Sequence, residues 1–136
     1  MKIYSRLLII VAILVIAACS KENNEIIDVL GNPKVLVGKW KLTESLNDPG
    51  DGSGKWTKVS GSNVNYVEFK ADGQLSGYGD YKTYTVKDST ILTFTKADGV
   101  TYQDQRYQLQ NGMLSMSPAG PIWCIEPCGL RYKKVQ

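Results

Sequence analysis

From Val35 onward the chain alternates β-branched or aromatic residues with polar ones, and glycine turns break the alternation at short intervals. "GKWKLTES" at 38–45 sets Trp40 and Leu42 on one face and Lys39, Lys41 and Thr43 on the other. "VEFKADGQLSGYG" at 67–79 is a hairpin signal around Asp72-Gly73, because a type I′ turn needs positive φ at both central residues. Tyr84 and Val86, Leu92 and Phe94, Tyr107 and Leu109, then Leu114 and Met116 carry the alternation across turns at 87–89, Asp98-Gly99 and Asn111-Gly112. Residues 122–125 and 130–135 supply a last pair of strands. Helical periodicity is confined to 26–30, where Gly31-Asn32-Pro33 stops it after one short turn. These signals predict an all-β domain of about eight short strands, an antiparallel up-and-down β-barrel, since an open meander of that length leaves two exposed edges.

The N-terminus reads differently. Lys2 and Arg6 precede twelve unbroken apolar residues, Leu7 to Ala18. That run is too short to span hydrocarbon, which takes roughly 20 residues, and fits the core of a secretory signal peptide. Ile16-Ala17-Ala18-Cys19 resembles the bacterial lipobox, which implies that Cys19 is acylated and becomes the mature N-terminus. The polar stretch 20–25 reads as a tether, and its acidic character resembles the export signal of Bacteroidetes lipoproteins. The expected organisation is a signal peptide at 1–18, a lipidated cysteine with its tether at 19–34, and the barrel at 35–136. The expected location is the outer membrane of the cell envelope, with the membrane itself as a partner through Cys19.

Removing 1–18 leaves 118 of the 136 residues, enough for one modest core. Lys2 and Arg6 depart with the leader, taking the 16 basic side chains to 14 against 13 acidic ones. No block of like charge runs along the sequence, which argues against nucleic acid as a partner. The chain has no histidine, so Ser-His-Asp and Cys-His arrangements cannot form. The expectation is a protein without catalytic residues or cofactor.

At Gly38-Lys39-Trp40 the sequence resembles the lipocalins, in which a Gly-x-Trp on the first strand closes the barrel floor and an arginine of the last strand packs across the indole. The resemblance implies that Gly38, Trp40 and Arg131 form that closure here. The wider pattern, through "VEFKADGQLSG", "YQLQNGMLSMSP" and "CIEPCGLRYKKV", is similar to the lipocalin-like lipoproteins of Bacteroidetes. An eight-stranded barrel of about 100 residues either holds one small ligand or is filled by its own side chains.

Cys124 and Cys128 bracket a tight turn with Pro127 and suit a structural disulfide in an oxidising compartment. Two thiols beside Glu126 fall short of a four-ligand zinc site, so no metal is expected. In the glycine-rich segment 47–56, Asp48, Asp51 and Ser53 offer oxygens, but not at the alternating spacing of calcium loops. The candidate lining for a small apolar or amphipathic ligand is Trp56, Tyr66, Tyr78, Tyr84 and Tyr107. The alternative is a protein-interaction or inhibitor module, a barrel filled by its own side chains that acts through its loops, 47–56 above all.

Overall fold

A computed structural model describes residues 33–61 and 65–135. The leader, Cys19, the tether and the short helical pattern at 26–30 lie outside the described residues. A single helical turn, α1 (Pro33–Leu36), leads into β1 (Gly38–Asn47). Pro33 therefore opens a turn of helix, as its fixed φ and missing N–H allow at a first helical position, and Val35 is not yet strand.

The remaining strands are β2 (Lys55–Lys58), β3 (Tyr66–Phe69), β4 (Leu75–Ser76), β5 (Tyr81–Val86), β6 (Ile91–Lys96), β7 (Tyr102–Gln110), β8 (Met113–Gly120) and β9 (Cys128–Lys134). Every pairing is antiparallel, in the order β4-β3-β1-β9-β8-β7-β6-β5, with β2 also on β1. β2 pairs with the second half of β1 and β3 with the first half, so the two share one position around the sheet. The ends of the sheet meet through a bridge between Gln74 and Thr83 and an N–H of Tyr84 donated to Gly73 O at 2.8 Å. The result is the expected all-β fold: a nearly closed up-and-down barrel with eight strand positions.

The type I′ expectation fails at Asp72-Gly73, where only the glycine holds positive φ (84°), and Asp98-Gly99 is the same (71° at Gly99 alone), but it holds at one turn. Asn111 and Gly112, between β7 and β8, both hold positive φ (53° and 71°). Inside the barrel, Trp40, Leu42, Val67, Phe69, Leu92, Phe94, Leu114, Met116 and Tyr132 are buried. Phe69 meets Tyr84 edge to face at 5.0 Å, and Tyr78 meets Phe94 likewise at 5.0 Å. Each such pair adds about 0.5–1.5 kcal/mol to the gain from burial itself.

Two local readings need correction. Residues 122–125 do not form a strand; β8 runs on to Gly120, and 121–127 is a loop with Pro at both ends. Pro cannot donate to a ladder, which disfavours a strand between two of them. Conversely, the glycine-rich segment 47–56 already contains the start of β2.

The chain passes back and forth between two ends. Loops 48–54, 77–80, 97–101 and 121–127 form the mouth; α1 and loops 70–74, 87–90 and 111–112 form the floor.

Candidate functional site

The floor is closed, but not as the resemblance implies. Trp40 is buried and its indole N–H donates to Leu36 O at 2.8 Å, which ties α1 across the barrel end. Register places Trp40 opposite Lys134, and the Lys134 ammonium lies 5.3 Å from the indole and donates to Val35 O at 3.0 Å. Gly38 serves both parts. Its φ of +131° turns the chain from α1 into β1, and a Cβ there would sit 2.9 Å from the Lys134 stem.

Arg131 is elsewhere, and alternation explains why. Tyr132 points into the core, so its neighbour Arg131 points outward. A bulge between Leu42 and Glu44 brings Glu44 opposite Arg131 on that outer face. The Arg131 guanidinium stands 3.7 Å from the centroid of the Trp56 ring, and its Nη1 is 3.1 Å from Glu44 Oε2. The Trp56 ring closes on Gly129, where a Cβ would meet it at 3.0 Å. Trp56 is therefore packed on the outside of the barrel and does not line its interior.

The other candidate lining residues also separate. Tyr66 is exposed, with the Lys39 ammonium 4.5 Å from its ring. Tyr84 and Tyr107 are buried in the core, and Tyr84 donates its hydroxyl to Lys70 O at 2.8 Å. Tyr78 packs inward from a mouth loop, and burial, with Tyr81 beside it, pushes its hydroxyl up to about 12. These five side chains do not surround a common space. The interior they were expected to line is occupied by Phe69, Phe94, Tyr84 and Tyr132. A shallow hollow of about 260 Å³ does open where β2 gives way to β3, between Leu42, Glu44 and Val59.

The mouth is the more distinctive surface. Cys124 and Cys128 are joined in a disulfide with Cα atoms 6.2 Å apart. The same loop is fixed from within: the buried Gln103 amide donates to Ile122 O at 2.8 Å, and Ile122 N–H donates back to Gln103 Oε1 at 3.2 Å. Held this way, the loop turns Ile122, Trp123 and Ile125 outward, at 68%, 61% and 99% exposure. Val100 and Tyr102, on the adjoining loop and the start of β7, add 79% and 49%. Sequence reasoning missed this patch because it placed 122–125 in a half-buried strand.

Loop 48–54 braces the disulfide loop, with Asp48 N–H donating to Pro127 O at 3.2 Å. The Asp48 carboxylate accepts N–H groups from Gly50 (2.8 Å), Asp51 (3.2 Å), Gly52 (3.1 Å) and Gly54 (2.9 Å). Those donors, Gly50 and Gly54 foremost, hold it below the usual carboxylate range despite its burial. Its oxygens are turned to the loop's own backbone. Asp98 is held ionised in the same way by the Thr101 hydroxyl and the N–H groups of Val100 and Thr101.

Comparisons with protein-family models, with curated proteins and with solved structures each find no match.

Proposed function

We propose that the protein is a lipid-anchored, lipocalin-like component of the cell envelope that has no catalytic role and engages a protein partner through its mouth loops. The observation that carries this reading is the contrast between the two ends of the same strands. The barrel interior is packed with its own aromatic rings, while five large apolar side chains stand exposed on two internally braced mouth loops and the start of β7. Exposed apolar clusters of this kind mark interaction sites, and rigid aromatic anchors bind at low entropic cost. The docking loop is thus 121–127 with Val100 and Tyr102, and loop 48–54 supports it. The carboxylates whose acidity is displaced (Asp48, Asp51, Asp88, Asp98 and Asp104) are all displaced downward, the wrong direction for a general acid. The acyl anchor is assigned to Cys19 on its sequence context alone.

The test is recovery of a stoichiometric partner from native envelopes by the wild-type chain and by Trp123→Ser/Ile125→Ser. Loss of the partner in the variant, with an unchanged melting temperature, supports the reading. Equal recovery by both contradicts it.

A second reading, a small ligand held in the barrel, draws on one observation. Gln105 is fully buried among the inward side chains, and its Oε1 has no hydrogen-bond donor among the described residues. Native mass spectrometry before and after denaturation separates the two readings, because a small mass that leaves on denaturation would favour the ligand.

A further inference from the structure

Basic side chains are concentrated at one place on the barrel. The four mouth loops hold Asp48, Asp51, Asp80, Asp98 and Glu126, but Lys55, Lys82 and Lys96 stand at the strand ends beside them, and Lys96 is 3.7 Å from Asp80. At the floor end of β1 and β9, with α1, five lysines gather, Lys34, Lys39, Lys41, Lys133 and Lys134, all exposed. Register sets Lys41 directly opposite Lys133 on neighbouring strands. Like charges in that position destabilise a sheet, and neither lysine has an ion pair among the described residues.

Among the described residues the carboxylates around this strip are few. Glu68 faces Lys39 across β3 and is bonded to the Ser76 hydroxyl at 3.3 Å. Asp72 and Asp88 lie on the floor loops beyond it, beside Lys70 and Lys87, and Lys87 is itself 2.8 Å from Asp104. Glu44 is taken by Arg131. The Lys41–Lys133 pair therefore costs the fold stability and has no ion pair among the described residues, and an anionic surface would supply its counter-charge.

We infer that this lysine strip docks on an anionic bilayer surface and orients the barrel with its mouth away from the membrane. The place of the strip selects the occupant. The chain enters the barrel at Pro33, at this same end, and Lys134 closes over that entry through Val35 O. The inference rests on the acyl anchor proposed at Cys19, because residues 19–32 would then run from the membrane to the floor. A polar tether alone leaves the barrel free to tumble. Basic side chains near an anionic surface each contribute about 1 kcal/mol, roughly a fivefold gain in partition, within a Debye length of about 8–10 Å. Docking at the floor leaves Ile122, Trp123 and Ile125 facing outward, free for a partner.

The test uses the mature chain from residue 19 with Cys19→Ser, so that no acyl chain contributes. Flotation is measured with vesicles of phosphatidylcholine alone and with about a third phosphatidylglycerol, at low salt and at about 0.5 M salt. The expected result is association with the anionic vesicles only, lost at high salt. It falls about tenfold or more in Lys41→Gln/Lys133→Gln, a variant that relieves the like-charge pair and so keeps the fold. It is unchanged in Trp123→Ser/Ile125→Ser. Equal partition into both vesicles, no association, or insensitivity to the lysine variant overturns the inference, and loss in the mouth variant does so too. Acylation is read separately from the mass of the native N-terminal peptide, so failure of the anchor and failure of the docking are distinguishable.

Discussion

The Arg131 guanidinium lies over the outward-facing ring of Trp56 at 3.7 Å, while Trp40, the tryptophan of the Gly-x-Trp sequence, is covered by Lys134. A planar guanidinium stacked on an indole and anchored by Glu44 is a stronger contact than an ammonium 5.3 Å from a ring. The two tryptophans thus have separate partners on opposite faces of the same sheet.

A double-mutant cycle reads this directly. Trp56→Ala with Arg131→Ala is expected to show a coupling of about 0.5–2 kcal/mol in denaturant unfolding. Trp40→Phe with Arg131→Ala is expected to be additive within about 0.5 kcal/mol. Coupling in the second cycle and none in the first would return Arg131 to the floor.

The like-charge pair across β1 and β9 makes a prediction of opposite sign to most substitutions. Lys133→Glu faces Lys41 with an opposite charge. It is expected to stabilise the fold by about 0.2–1 kcal/mol at low ionic strength, with the gain shrinking as salt is raised. A loss of stability would show that the pair is already compensated.

Gln105 is a buried amide whose carbonyl oxygen has no donor among the described residues. Gln105→Met keeps its approximate volume and removes the orphan acceptor, so unfolding free energy is expected to hold or rise by about 1 kcal/mol. A clear fall would mean that the interior supplies a donor, from a water or a bound molecule.

Acid stability follows from carboxylates held below 3.8 in the fold. Asp48 is lowered by its backbone donors. Burial pushes Asp104 up, but Lys87 and the Thr93 hydroxyl outweigh it and the net shift is downward. A folded pKa below the unfolded one adds stability that is fully present above the unfolded value and is lost as pH falls through the folded one. The melting temperature is therefore expected to be flat with respect to these groups above about pH 5 and to fall steeply below 3.8. Asp104→Asn should lower the plateau and flatten the slope. An unchanged acid limb would remove Asp104 from the account.

Much of the fold was legible because inward residues recur at alternate positions. Trp40 and Leu42, Leu92 and Phe94, and Leu114 and Met116 are all in the core, and the turns at Asp98-Gly99 and Asn111-Gly112 fall where they were placed. The site was less legible, for local reasons. The bulge at Thr43 shifts the β1–β9 register, and adjacency to the inward Tyr132 sends Arg131 outside, which a Gly-x-Trp match cannot register. The apolar run 122–125 carries the composition of a strand, yet Pro121, Pro127 and the disulfide hold it as an exposed loop. The two prolines were the available signal. Tyr84 and Tyr107 look like pocket residues by type, and only the packing shows them to be core.

The central claim, that this barrel works through its mouth, is tested most directly by photo-crosslinking in intact cells. A photoreactive residue is placed at Ile125 in one strain and at Ser115 on β8, away from the mouth, in another. The account predicts a discrete protein adduct from position 125 that disappears when Trp123→Ser is added, and none from position 115. No adduct from position 125, together with a small molecule that leaves the barrel on denaturation, would contradict it.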